Sequence, residues 1–408
     1  MSAVKLMGAS RVQTLSAAPH RLLFFIGACN VLLAMAWWAA WLMSSRRDPS
    51  AMPQVEMPAG WLHAFVMQYQ MLPSFIFGFL LTVFPRWMGL AELERWRYAP
   101  IGLGLFGGQI ATLLGALGWA PGITVGALLT VGGWLIGIAQ LLPLLWRERG
   151  VTWHARSCMS ALLLGMAGLL LWLVFLLDRN AMAAFASIKV GTFGLLLPIY
   201  LTVAHRMFPF FAGNVVPGYT PWRPFWLLAA FWLLLLAHLQ LELFHAYAWL
   251  WVVDVPLLAL LALMNWKMWP RAHMPGLLAT LFIGLAWLPL TFTLYAGQSV
   301  AYALTGVYWL GRAPAHALFV GFFGSVLVAM VTRVTQGHSG RPLEMPPAAW
   351  WAFIALQVVA VVRIVAEFAG DQAAWMAYAA IGWLLALTPW VLRIARITLS
   401  PRVDGKPG

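Results

Sequence analysis

Charged residues and cysteines are both scarce in this chain of 408 residues. Asp, Glu, Lys and Arg make up only 9% of it, whereas apolar types make up 62%. Because soluble proteins carry about a quarter charged residues, this composition excludes a soluble enzyme, a disordered regulator and a secreted scaffold. It indicates a polytopic protein whose main partner is the lipid bilayer. The net charge of +13 does not favour nucleic-acid binding, since membrane proteins concentrate basic residues in cytoplasmic loops.

The two cysteines, Cys29 and Cys158, each lie in an apolar run, and no C-x-x-C or C-x-x-C-H motif occurs. The sequence therefore argues against a thiolate zinc cluster, a covalently attached c-type haem and a redox dithiol. A cleaved signal peptide is not indicated, because the first apolar run, 22–43, is long enough for a retained span.

Twelve apolar runs are long enough to cross a bilayer, which takes roughly 20 residues. They predict an all-α fold, with residues 1–408 forming one transmembrane domain. The turn at Pro121-Gly122 separates spans 3 and 4, and glycines four apart, such as Gly104 and Gly108, predict close packing there. The predicted spans are 22–43, 62–84, 98–118, 123–146, 157–177, 183–206, 223–244, 247–266, 275–296, 313–333, 348–369 and 373–393.

Basic residues fall unevenly on the two sides of these spans. Of the 25 Lys and Arg, 19 lie on the side of the N-terminus and 4 on the other, while Lys189 and Arg363 lie within spans. Basic residues mark cytoplasmic loops, so both termini are predicted to be cytoplasmic and spans 2, 6 and 10 to run inward. The predicted location is a bacterial inner membrane.

Ionisable side chains at membrane depth are costly and therefore mark candidate sites. With the directions fixed, five of them form a predicted outer layer: His63, His238, Glu242, His245 and His316. Neutral imidazole binds haem iron and copper well, so histidines at equal depth on two helices could hold a haem. The i, i+4, i+7 spacing of His238, Glu242 and His245 predicts one helix face, and Glu242 with His245 also matches the E-x-x-H motif of di-iron bundles.

A second candidate layer lies near the predicted cytoplasmic face. Its members are His205, Arg206, Arg333, His338 and Arg341. The arginines could pair with haem propionates or with phosphate, and basic residues at this edge also fix the orientation of the chain.

Lys189 and Asp254 both fall in the outer halves of their spans, where they could pair or mark a proton or ion path. Arg363 and Glu367 are spaced i, i+4, which predicts a structural ion pair.

A proton- or ion-coupled secondary transporter is therefore the alternative function. Twelve spans with both termini inside are a common transporter layout, and the mid-span residues Pro73, Pro198 and Pro256 suit discontinuous helices as well as ordinary kinks. A haem–copper oxidase is not favoured, because the sequence has no His-His pair and no His-x-x-x-Tyr.

Several motifs resemble the NnrS family, whose members are multi-span membrane proteins that contain haem and copper and are associated with nitric oxide and nitrosative stress. The matching residues are His316-Ala317-Leu318, Thr332-Arg333-Val334 and Gly337-His338-Ser339-Gly340-Arg341-Pro342-Leu343, then Gly78-Phe79-Leu80-Leu81-Thr82 with Pro85-Arg86-Trp87 and Gly89, then Arg206-Met207-Phe208-Pro209-Phe210-Phe211 with Asn214, and Pro19-His20-Arg21 with Phe24-Phe25. Together they extend over most of the chain.

The resemblance implies b-type haem held by histidine and a role in relieving nitric oxide stress. It assigns the ligand role to His63 and His316, with His338 as a further candidate. The family usually has H-A-H-E-M where this chain has Phe65 and Val66 in the third and fourth positions, which weakens the expectation of copper. Turnover of nitric oxide would need an electron donor, and no motif identifies one.

Overall fold

The computed structural model describes residues 11–405. Within that range the chain forms helices, turns and loops and no strand, which confirms the all-α prediction. Lys5 and Lys406, two of the basic residues behind the predicted orientation, lie outside the described residues.

Twelve helices in the described range are long and apolar enough to cross a membrane, as predicted. They are α1 Pro19–Arg47, α2 Ala59–Trp87, α3 Arg95–Ala116, α4 Gly122–Arg147, α5 Trp153–Asp178, α6 Ala181–Val215, α7 Phe225–Leu243, α8 Trp251–Met268, α9 Gly276–Thr305, α10 Ala313–His338, α11 Pro347–Val365 and α12 Gln372–Thr398.

Several helices extend beyond the predicted spans. α6 ends at Val215 rather than near residue 206, and α12 ends at Thr398 rather than near 393. Hydropathy marks only the apolar part of a helix, whereas the backbone stays helical for as long as its own hydrogen bonds continue into the polar region.

Three of the twelve helices contain a stretch of π-helix, at Val66–Met71 in α2, Val190–Leu196 in α6 and Ala317–Gly324 in α10. Each begins within three residues of an ionisable candidate: His63, Lys189 or His316. These are also the most buried of the twelve, with 94%, 72% and 89% of their most apolar eighteen residues buried. π-Helical turns are rare and occur mainly at functional sites, so this recurrence at every fourth helix draws attention to the starts of α2, α6 and α10.

The mid-span prolines do not break their helices. Pro73 and Pro198 follow the first two π stretches directly, and Pro256 lies within α8. The wider π turn relieves the clash between a proline ring and the preceding turn, so α2 and α6 bulge rather than separate into half-helices.

The contacts divide the chain into two compact units. Unit 1 comprises the described residues of 1–192, 331–343 and 387–408, and unit 2 comprises 193–330 and 344–386. Unit 1 contains α1 to α5, and unit 2 contains α7, α8, α9 and α11.

In unit 1, α3 and α4 form the hairpin that the glycine spacing predicted. A Cβ atom on Gly104 would lie 2.6 Å from the Cα of Gly133, and one on Gly122 would lie 2.6 Å from the Cα of Gly115. The two backbones therefore touch, which only glycine allows, and van der Waals contact holds the hairpin together where lipid gives no hydrophobic driving force.

This contact gives a stability prediction. Gly104→Ala places a methyl group against the backbone of α4 at Gly133 and Leu129, so we expect the free energy of unfolding to fall by about 1–3 kcal/mol. Gly132→Ala is the matched control, because no other atom lies within 4 Å of the added Cβ. Unfolding in detergent micelles measures both, and equal stability of the two variants would contradict the packing.

Candidate functional site

His316 lies in the first turn of α10, in unit 2, directly before the π stretch. Its Nδ1 is 2.9 Å from the backbone oxygen of Arg312. A carbonyl oxygen can only accept, so Nδ1 carries the proton and Nε2 carries the lone pair. This is the arrangement that orients most histidines that bind metals. In this tautomer of a neutral imidazole, a metal ion can be bound through Nε2.

His63 lies near the start of α2, in unit 1, and is half-buried. Its ring stacks on Trp38 of α1, with centroids 4.5 Å apart and planes at 14°. Trp38 stacks in turn on Trp41, at 5.4 Å and 3°. Three nearly parallel rings thus fix the plane of the His63 imidazole.

Three tryptophans of unit 1 have indole N–H groups that make no hydrogen bond with the described residues. The Nε1 atoms of Trp37, Trp41 and Trp172 are buried and meet no hydrogen-bond acceptor within residues 11–405. Trp37 and Trp41 are four apart on α1, so they share one helix face. Buried donors of this kind suit a ligand that brings acceptor oxygens.

Phe65 occupies the position where the family pattern has a second histidine. It has no exposed surface and stacks on Trp172 of α5, with centroids 4.6 Å apart and planes at 10°. Aromatic packing therefore replaces a metal-binding side chain at this position.

His238 lies in unit 2 in a buried cluster of ionisable groups between α7 and α8. Its Nδ1 is 2.6 Å from Oδ1 of Asp254, and its Nε2 is 3.7 Å from Oε1 of Glu242. His238 and Asp254 have no exposed surface, and rings of Phe193 and Tyr295 pack against the imidazole. The sequence predicted that Asp254 could pair with Lys189. In the structure, Oδ1 of Asp254 is hydrogen-bonded to Nδ1 of His238.

The predicted shared face of His238, Glu242 and His245 is wrong for His245. α7 ends at Leu243, and His245 has a φ of 55°, in the left-handed region. The amide of Ala246 donates to Leu241 and closes the helix end, a termination that usually uses glycine. The E-x-x-H interpretation fails for the same reason, since it needs both residues on one helix.

His245 instead contacts Tyr247, with its Nδ1 2.5 Å from the phenol oxygen. Burial, with the nearby Glu242 carboxylate, raises the pKa of Tyr247 to about 12. The phenol therefore keeps its proton, and the hydrogen bond joins a neutral hydroxyl to Nδ1 of His245.

His338 lies at the end of α10, in unit 1, and contacts a second histidine and two arginines. Its ring lies 4.2 Å from that of His20, and its Nε2 is 3.2 Å from Nη1 of Arg86. Arg402 donates to its backbone oxygen at 2.9 Å. Arginine can only donate, so Nε2 of His338 acts here as a hydrogen-bond acceptor. Sequence reasoning missed His20 and Arg86 as its neighbours, although both belong to motifs that carry the family resemblance.

The remaining candidates of the predicted inner layer fall in both units. In unit 2, His205 is fully buried with its Nε2 3.1 Å from the carbonyl oxygen of Pro224, and Arg206 is half-buried beside it in the chain. In unit 1, Arg333 and Arg341 are half-buried. Burial and the neighbouring Arg393 guanidinium lower the pKa of Arg341.

The predicted pair of Arg363 and Glu367 is confirmed, with Nη1 2.6 Å from Oε1. Across the described residues, no group of three or more His, Cys, Asp or Glu side chains is arranged to hold a metal ion. The metal and copper assignments of the outer layer thus stay predictions.

The His238–Asp254 pair can be tested by a double-mutant cycle. Asp254→Leu leaves the Nδ1 proton of His238 buried without an acceptor, so we expect a loss of about 3–5 kcal/mol in unfolding free energy. Adding His238→Phe removes both partners and is expected to restore most of it. Chemical unfolding measures the cycle, and additive losses from the two substitutions would contradict a direct interaction.

Comparison with known families adds an independent result. The family model for NnrS protein matches residues 14–402, almost the whole chain. A search of curated proteins gives no match. The chain belongs to the NnrS family.

Proposed function

We propose that this protein binds a b-type haem in a bacterial inner membrane and acts in the response to nitric oxide. One observation carries the proposal: the bond from Nδ1 of His316 to the Arg312 carbonyl, which presents Nε2 as an iron ligand. Membership of the NnrS family supports the same role.

Each unit by itself offers a histidine that could hold haem iron. In unit 2, Nε2 of His316 would bind the iron at the start of a bulged helix. In unit 1, His63 is a second candidate ligand whose plane is fixed by Trp38. The buried indole donors of Trp37 and Trp41 suit carboxylate oxygens, which haem carries on its propionates.

A bound ferrous haem would supply the chemistry, because haem iron binds nitric oxide. The residues of this chain would orient the imidazoles. His316 is fixed by its own backbone and His63 by ring stacking, so neither imidazole has to reorganise when iron binds.

Copper is not part of the proposal. Phe65 and Val66 stand where the family pattern has histidine and glutamate, and both are buried in apolar packing. The distribution of basic residues supports cytoplasmic termini, since 19 of 25 lie on one side of the spans.

We expect His316→Ala to remove most of the haem from the purified protein, because alanine has no nitrogen that could bind iron. Soret absorbance per protein measures the loss. His273→Ala is the control, since His273 is exposed in the loop between α8 and α9. Wild-type protein without a Soret band after expression with ample haem would contradict the proposal.

His63→Phe separates ligation from packing. Phenylalanine keeps a flat ring against Trp38 but has no nitrogen, so stability is expected to change by less than about 1.5 kcal/mol while haem content falls. Unfolding and haem titration on one sample measure both quantities. Full haem content in this variant would exclude His63 as a ligand.

The buried cluster of His238, Glu242 and Asp254 favours the alternative of a proton-coupled transporter, because such groups form proton relays in membranes. Asp254→Asn would then abolish proton-coupled uptake and leave haem content unchanged. Loss of haem with this substitution would instead connect the cluster to the cofactor.

A further inference from the structure

Unit 1 contains a buried polar cluster that the proposed function does not use. Its side chains come from α1 to α4, and none has any exposed surface. We call it the amide core, and its members are Asn30, Gln70, Ser74, Gln109, Thr112 and Thr130. Hydrogen bonds connect all six through side-chain and backbone atoms.

Gln70 lies in the π stretch of α2, and its Nε2 donates to the hydroxyls of Thr112 and Thr130, at 2.9 and 3.0 Å. The hydrogen of each hydroxyl is already used, because Thr112 donates to Gly108 and Thr130 to Gly126. Both hydroxyls can therefore only accept. The amide atom that faces them has to be the nitrogen, which fixes the orientation of the Gln70 side chain.

The same reasoning fixes the side-chain orientations of the other two amides, Asn30 and Gln109. Asn30 donates through Nδ2 to the hydroxyl of Ser74 at 3.3 Å, and Ser74 has committed its own hydrogen to the backbone oxygen of Gln70. Gln109 donates through Nε2 to the backbone oxygen of Asn30 at 2.9 Å. A backbone oxygen has no hydrogen to give, so this contact also requires nitrogen.

These orientations leave three amide oxygens over: Oδ1 of Asn30, Oε1 of Gln70 and Oε1 of Gln109. All three are buried, and none accepts a hydrogen bond from the part of the chain that the structure describes. The three hydroxyl hydrogens of the core are committed elsewhere, so the hydroxyls cannot satisfy them. Buried polar atoms in proteins nearly always have a partner.

Two glycines leave space for the threonine hydroxyls of the amide core. A Cβ atom on Gly108 would collide with the hydroxyl of Thr130, and one on Gly126 would collide with the hydroxyl of Thr112. Glycine at both positions lets the two hydroxyls sit between α3 and α4, where Gln70 reaches them. The π turn of α2 carries Gln70, and π turns are enriched at binding sites.

We propose that the amide core binds a small guest that offers these oxygens only positive charge or hydrogen: a monovalent cation or a water molecule. An anion is disfavoured, because the core carries no positive charge and its unsatisfied buried atoms are all oxygens. Mg²⁺ and Ca²⁺ do not fit either, since sites for them are built around carboxylates and the six residues include none. Neutral carbonyl oxygens are the ligands that channels use for K⁺.

The test uses the full-length protein in lipid nanodiscs. Its unfolding temperature is measured against NaCl and KCl, with N-methyl-D-glucamine chloride keeping the ionic strength constant. A bound cation is expected to raise the unfolding temperature with the logarithm of its concentration once that concentration exceeds the dissociation constant. Gln70→Leu and the milder Gln109→Met each remove one oxygen ligand and are expected to weaken the apparent affinity about tenfold or more.

Gln357→Leu is the matched control. It removes a largely buried glutamine of unit 2 that bonds Trp287 and Ser325, and it is expected to leave the cation response unchanged. Using two variants keeps the test informative if Gln70→Leu fails to fold.

A high-resolution crystal structure distinguishes the two guests. Cation-independent stability together with ordered density within hydrogen-bonding distance of the three oxygens would identify water and support the site. No cation response and no density on these oxygens would overturn the proposal. Because neither readout involves haem, its failure is independent of the failure of the proposed function.

Discussion

Hydrocarbon provides no hydrogen bonds, so each polar group in this bundle needs a partner within the protein or in a bound guest. Helices satisfy the backbone by themselves, which is why the described chain is helical throughout its apolar runs. Side chains have to be satisfied one by one. Some use their own helix, as Thr112 and Thr130 do with carbonyls four residues earlier. Others use a neighbouring helix, as His238 does with Asp254.

This constraint explains which parts of the molecule the sequence predicted. Long apolar runs have one outcome in a membrane, so twelve runs predicted twelve helices, and the predicted bounds differ from the helices by a few residues at their ends. The motifs predicted that the chain belongs to the NnrS family, because the segment from His316 to Leu343 is specific to that family. The pair of Arg363 and Glu367 was also predictable, since residues four apart on one helix are neighbours whatever the rest of the fold does.

Contacts between side chains on different helices were harder to predict, because they depend on the residue at which each helix ends. His245 was placed on the face of His238, yet α7 ends two residues earlier and no glycine announces it. A usable signal did exist for His238. It and Asp254 are each eight residues from Ala246, in the turn between α7 and α8, and an antiparallel hairpin brings such positions to one level. The π turns left no trace in hydropathy, because one extra residue per turn does not change composition.

Along α1, the buried polar atoms without a partner in the described chain change character from the middle of the helix to its end. Toward the C-terminal end they are the indole donors of Trp37 and Trp41, while near the middle the atom is an amide oxygen, Oδ1 of Asn30. Donors attract acceptor oxygens, whereas oxygens attract cations or hydrogen. The two levels of α1 therefore suit guests of different chemistry, which is why the proposed haem, beside the stacked ring of His63, and the proposed guest of the amide core are independent of each other.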